Sequence, residues 1–235
     1  MKLPCGLALQ QAPCICYRAS MDLLAFANHK GGVGKTTALS HLAWRAREVG
    51  RRVLVVDTDQ QADAFAHFSG SDVPESGQVF SWGDGCNVVW WPDATVAPAI
   101  QGYDLVLWDL PPKVGLPNGL AVTGVVVPID GPFAMKNAAD FIGSVTVPCI
   151  LVANGLAEGG RTFERTLLES FKKVPSHVLV CPVALLRGGS IRRSADAGSP
   201  AWLDMYSGQA GQRILEWANW ILESGIAWAR RPKAA

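Results

Sequence analysis

The residues best suited to chemistry stand together in one run, Lys30-Gly31-Gly32-Val33-Gly34-Lys35-Thr36-Thr37. Closely spaced glycines let the backbone turn tightly and point successive N–H groups into one concavity, which suits phosphate oxygens. A helix beginning just after them would add the partial positive charge of its N-terminus. Lys35 can then reach the β- and γ-phosphates of a nucleotide, and the Thr36 hydroxyl can ligate Mg²⁺. In the pattern G-x-x-x-x-G-K-[ST] a glycine stands six residues before the lysine; here that position is His29, and an additional lysine, Lys30, precedes Gly31.

Carboxylates follow at intervals that a sheet would gather. Asp57 and Asp59 close the apolar run Val53-Leu54-Val55-Val56, and Asp109 closes Leu105-Val106-Leu107-Trp108. Open α/β sheets bind ligands beyond the carboxyl ends of their strands, so these groups are expected beside the phosphates. Taken alone, an Asp pair after a strand reads as a turn or a helix cap. Asn154 ends another apolar run, Ile150-Leu151-Val152. No N-K-x-D guanine motif occurs, so ATP is favoured over GTP.

The elements that must position these groups are legible as apolar runs at 23–27, 53–56, 88–90, 105–108, 125–127, 150–152 and 178–180. Helical spacing separates several of them, over 39–49, 133–145 and 161–171, with a closing helix at 209–224. Strands alternating with helices predict an α/β fold with a mostly parallel sheet and helices on both faces. Residues 1–20 read as an appendage without an assigned role, 21–224 as one nucleotide-binding domain and 225–235 as a tail. The 235 residues are 49% apolar and 17% charged, enough for a core and unlike a disordered chain. Lys plus Arg number 21 and Asp plus Glu 20, a net charge of +1, which excludes a polybasic or acidic tail as the theme. The six cysteines and four histidines show no metal-ligand spacing, and the first twenty residues do not resemble a signal peptide, so a cytoplasmic location is expected.

The string K-G-G-V-G-K-T-T resembles the deviant Walker A box of the ParA/MinD family of P-loop ATPases. The segment Val53 to Asp63 is similar to that family's second motif, with Gln60 in place of the usual proline, and Tyr103 to Pro112 resembles its Walker B strand. The likeness covers about residues 21–224 and is nearest to the small single-domain partition proteins. It implies an ATP-hydrolysing enzyme, slow without a partner, that forms a sandwich homodimer around ATP and Mg²⁺. Lys30 would reach the partner subunit's phosphates, Lys35 its own, and Asp59 would orient the attacking water. Thr36, Asp57 and Asp109 would hold Mg²⁺ and its waters, and Asn154 would read the adenine.

The resemblance further implies non-specific DNA binding in the ATP state, nucleoid association, and release when a ParB-like or other cargo adaptor stimulates hydrolysis. Arg187, Arg192 and Arg193 in the segment 186–200 are the candidate DNA contacts, with Arg161, Lys172 and Lys173 behind them. Two alternatives stand beside this reading. A MinD-like membrane association would use the stripe Ile214, Leu215, Trp217, Ala218, Ile221, Leu222, Ile226 and Trp228, followed by Arg230, Arg231 and Lys233. Core packing explains that stripe better, and a membrane is disfavoured as a partner. The other alternative is a slow ATP-dependent scaffold switch.

Overall fold

Strands of five or six apolar residues without polar alternation are stable only when covered on both faces. Seven expected strands form: β1 (Asp22–Phe26), β2 (Val53–Asp57), β4 (Cys86–Trp90), β5 (Leu105–Asp109), β6 (Gly124–Ile129), β7 (Cys149–Ala153) and β8 (Val178–Val180). The computed structural model describes residues 21–71, 74–93, 100–112, 114–117, 119–156, 169, 174–205 and 207–231. The segment 1–20, the helix expected at 161–171 apart from Glu169, and Arg161, Lys172, Lys173 and Lys233 lie outside the described residues.

One sheet runs β3-β4-β2-β5-β1-β6-β7-β8, parallel except where β3 (Val79–Gly83) pairs antiparallel with β4. No apolar run announces β3, because Val79, Phe80 and Ser81 are exposed. Its signal is the Asp84-Gly85 pair, with Gly85 at φ 68°, the residue type that a tight hairpin needs. The expected parallel sheet therefore carries one antiparallel edge.

Helices α1 (Lys35–Glu48) and α2 (Asp63–Ser69) lie on one face with α5 (Gly208–Trp220), packing against Leu24, Phe26, Val53, Val55, Leu105 and Leu107. α3 (Pro132–Gly143) covers the other face through Ala134, Ala138, Phe141 and Ile142. α4 (Gly189–Ala197) crosses near the C-terminal helix. α5 passes through a π turn, Ile221–Gly225, into the short α6, Ile226–Ala229, which extends the expected closing helix beyond residue 224. A side chain at Gly225 would sit 3.2 Å from Ile150 and 3.3 Å from Trp220, so glycine is what lets this turn lie close to the sheet.

The apolar stripe of this C-terminal segment is spent on the core. Ile214, Trp217, Ala218, Ile221, Leu222 and Ile226 are all buried. Arg230, which only the disfavoured membrane alternative used as an anchor, donates to both carboxylate oxygens of Asp22 at 2.7 and 2.8 Å. Asp22 is 2% exposed and is also paired with Arg51 at 3.5 Å, the partners that a buried carboxylate requires. Among the described residues no helix is long and apolar enough to cross a membrane.

His41 joins α1 to the chain after α4. Its Nδ1–H donates to the Thr37 carbonyl at 2.7 Å, and Nε2 accepts from the Ala201 N–H at 3.2 Å and the Ser194 hydroxyl at 3.1 Å. A backbone N–H can only donate, which assigns the neutral tautomer. Burial pushes its pKa down from 6.5 to about 4. The folded protein therefore refuses a proton that the unfolded chain accepts below pH 6.5. The stability this confers is full above pH 6.5 and is lost as pH falls towards 4, on the order of 3 kcal/mol at 1.36 kcal/mol per unit. Denaturant melts at pH 7 and pH 4.5 are expected to show that loss in the native chain and a flatter pH dependence in His41→Gln.

Candidate nucleotide-binding site

Chain order and sheet order together create the crevice. β1 is central, β5 lies on one side of it and β6 on the other, so the chain switches sides at β1. The loop after β1 emerges at that switch point, where open α/β sheets bind ligands. Gly32 and Gly34 have φ of 72° and 84°, angles that other residues adopt only with strain. α1 starts directly from Gly34, with no side-chain cap and no acidic residue in its first turn. Its leading N–H groups thus face outward as an anion site.

Asn28 braces the loop from inside. Its Oδ1 accepts the Lys30 N–H at 2.9 Å, while its Nδ2 donates to the Pro128 carbonyl at 2.8 Å. Asn154 braces it from β7: its Nδ2 donates to the Val33 carbonyl and its Oδ1 accepts the Gly155 N–H at 2.8 Å. A side chain at Gly34 would fall 2.2 Å from Asn154 Nδ2. The expected adenine reader is therefore also a strut of the phosphate loop, and its amide is engaged there.

Sheet register sets the carboxylates. Asp57 on β2 and Asp109 on β5 are direct cross-strand partners, 0% and 1% exposed. Burial, then the neighbouring Asp57, push Asp109 up to about 7. Burial also pushes Asp57 up to about 6, against the N–H groups it accepts. Lys35, 7% exposed, is held down by desolvation while Asp109 and Asp59 favour its charge. Thr36 donates its hydroxyl to Asp109 Oδ2 at 2.6 Å, and Asp109 Oδ1 is buried with no partner among the described residues. That orphaned oxygen beside a hydroxyl suits a hydrated divalent cation, which a phosphate group would complete. No group of three or more His, Cys, Asp or Glu gathers as a metal site among the described residues. A metal here would therefore lean on nucleotide oxygens and water.

Asp57 is engaged by the backbone that follows it. Its Oδ1 accepts the Asp59 N–H at 3.0 Å and its Oδ2 the Phe65 N–H at 2.8 Å. Both oxygens are occupied in folding the turn that leads into α2. Asp59 is half-buried at the mouth of the site, and its Oδ1 accepts the Gln61 N–H at 3.0 Å. Lys30 lies in an ion pair with Asp130, its Nζ 2.8 and 3.1 Å from the two carboxylate oxygens. Asp130 follows β6, and its position just past a strand's carboxyl end was the available signal for it. An open cleft of about 470 Å³ adjoins the helix start, lined by Thr36, Thr37, Ser40, Asp63, His67 and Asp196.

The candidate DNA contacts separate. Arg192 and Arg193 lie on α4, and Arg187 precedes it. All three are exposed, but Arg193 Nε donates to Asp204 at 2.6 Å. The Arg187 guanidinium lies over Gly155, with Asp130 near the same point, apart from the helix that carries the other two.

Switch-point loop, uncapped helix start and buried carboxylates define a P-loop nucleotide-binding protein. A family model described as an AAA domain matches residues 21–76. The chromosome-partitioning ATPase Soj of Thermus thermophilus is 35% identical over 158 residues, 54% of this chain and 63% of Soj. The chain thus spans less than two thirds of that relative's length. MinD of Pyrococcus horikoshii, solved with Mg-ADP, superposes with a TM-score of 0.60 at 16% identity, covering 90% of this chain and all of MinD. Cobyrinic acid a,c-diamide synthase of Mycobacterium smegmatis, solved with ADP and magnesium, gives 0.60 at 19% identity over 92% of this chain and 99% of its own. The chain is thus similar in sequence to Soj over part of its length, and it shares the fold of MinD and of the synthase.

Gly34→Ala is expected to force the strained backbone off φ 84° and to evict the Asn154 amide. Fluorescent ADP should bind at least tenfold more weakly, while the thermal midpoint moves by only a few degrees.

Proposed function

We propose that this chain is a ParA-like partition or positioning ATPase that dimerises around ATP, binds DNA without sequence preference and is released when a cargo-bound partner stimulates hydrolysis. The observation that carries the reading is the second lysine of the loop. Lys30 stands on the outer side of the phosphate loop, held by Asp130, where a second subunit could receive it. The 35% identity to Soj, a chromosome-partitioning ATPase, supports the partition assignment over the other chemistries that share this fold.

In this reading the first-turn N–H groups of α1 and Lys35 hold the phosphates. Asn154 keeps the loop shaped, and the adenine competes for its amide. Thr36 and Asp109 would hold Mg²⁺, which supplies charge neutralisation on the phosphate oxygens. Asp57 acts through the turn it folds rather than as a ligand. Asp59 accepts a proton-side hydrogen bond from the attacking water and aims it at the γ-phosphate. Lys35, and Lys30 from the other subunit, offset charge on the transferring group, the largest contribution in such chemistry.

For DNA, Arg187 and Arg192 are the stronger candidates, since Asp204 offsets Arg193. Neutralised phosphates release counterions, so affinity should fall steeply with salt. The test is binding to a random-sequence duplex with ATP and with ADP across a salt series, with Lys35→Ala as control. ATP-dependent, salt-sensitive binding that Lys35→Ala abolishes is the expected result. In an ATP dimer, Arg192→Ala should lower the slope of log affinity against log salt by about 2, one contact per subunit. Absence of binding in both nucleotide states would overturn the DNA assignment.

Dimerisation has its own prediction. Lys30 must leave Asp130 to cross to a second subunit, and a half-exposed ion pair costs up to about 1 kcal/mol to break. Lys30→Ala should keep monomer nucleotide binding and lose the ATP dimer in sedimentation. Two such pairs break per dimer, so Asp130→Asn should lower the protein concentration needed for that dimer, up to about thirtyfold.

A further inference from the structure

We infer that Trp90 is a positioning residue for Asp59, acting by the hydrogen bond from its indole N–H to the Asp59 main-chain carbonyl. The inference rests on the assignment of Asp59 as the group that orients the attacking water.

The indole Nε1 lies 2.9 Å from the Asp59 oxygen. Trp90 is the last residue of β4 and faces Asp57 in the sheet register. Its own backbone is held on both sides: the Trp90 N–H donates to the Gln78 carbonyl at 3.3 Å, and the Gly77 N–H donates to the Trp90 carbonyl at 2.8 Å. The next N–H, of Trp91, donates to the Asp57 carbonyl at 2.7 Å. The indole therefore projects from a strand end that cannot shift without breaking sheet pairing.

Asp59 itself lies in no strand or helix, so something must fix the direction of its side chain. Two anchors do so. The peptide N–H before its Cα is held by the Asp57 carboxylate at the end of β2, and the carbonyl after its Cα by the indole at the end of β4. With both flanking peptides fixed, the Cα–Cβ direction of Asp59 is fixed as well. The same carbonyl also accepts the Ala62 N–H at 3.1 Å, which starts the turn in which Ala62 takes the left-handed angle φ 55°. That strained residue has no cap of its own and persists because its surroundings determine it. Trp90 is half-buried against the core cluster that includes Phe65 of α2, so the ring is packed while its N–H is committed to one acceptor. A buried or half-buried indole donor ordinarily finds a partner; here the partner is the backbone of the reactive turn. Phe, which keeps the ring but lacks the donor, is therefore the informative replacement.

The experiment compares the full native chain with Trp90→Phe and with 3-benzothienylalanine at position 90, which keeps the indole shape with sulfur in place of N–H. Turnover, ATP affinity and amide hydrogen exchange are measured on each. Both replacements are expected to slow turnover about fivefold, the worth of one neutral hydrogen bond, with ATP affinity within twofold of native. Amides of Gln61 and Ala62 should exchange faster while those of Val55 and Val56 in β2 stay protected. Unchanged exchange in both variants would overturn the inference, as would an effect of Trp90→Phe that the benzothienyl side chain does not reproduce, since packing alone would then explain it. Equal losses of affinity and turnover would overturn it too, as a general loosening of the site. If the native chain shows no turnover while exchange responds as expected, the clamp stands and the hydrolytic assignment of Asp59 falls.

Discussion

Two carboxylates facing each other across β2 and β5, with almost no solvent, are the constraint around which the rest of the site is arranged. Like charges in a desolvated place raise each other's pKa, and neither is tolerable without donors. The chain answers the two differently. Asp57 receives backbone N–H groups from Asp59 and Phe65 and so becomes the nucleus of the turn into α2. Asp109 receives the Thr36 hydroxyl on one oxygen and keeps the other bare, with the Lys35 charge favouring its ionised form. One member is satisfied by folding, and the other keeps an oxygen without a partner among the described residues.

That division links the phosphate loop to the turn carrying Asp59. Thr36 belongs to the first turn of α1, and Thr58, next to Asp57, donates its hydroxyl to the Asp109 carbonyl at 2.6 Å. Loop, β5 and the β2–α2 turn thus meet at a single residue. The three are joined directly by hydrogen bonds of 2.6 to 3.0 Å. Around this cluster the scaffold is held elsewhere: His41 ties α1 to the segment after α4, and Arg230 ties the C-terminal segment to the start of β1. Those ties keep the loop's parent elements still while the loop itself remains exposed at Gly31 and Gly32.

Much of this was legible in the chain. Apolar runs without alternation locate seven strands to within a residue or two, because a strand buried on both faces admits little else. The stripe Ile214 to Ile226 reads better as a core face than as a membrane face, and packing on the sheet agrees, since the folded chain supplies the apolar surface that covers it. The hairpin strand β3 escapes because its exposed Val79 and Phe80 break the burial pattern. α2 escapes as well: it is seven residues long, and Asp57, six residues before it begins, supplies a capping acceptor that local spacing does not reveal.

By itself the sequence determined the phosphate loop, since three glycines, a lysine and two threonines in series leave the backbone few other uses, and it placed Asp57, Asp59 and Asp109 at strand ends. Only the tertiary structure decided what each does there. Lys30 finds Asp130 a hundred residues away, Asn154 finds Val33 across the sheet, and Trp90 finds the carbonyl of Asp59. Such pairs depend on strand order and register, which arise from how the whole sheet closes on its helices, and no local spacing encodes them.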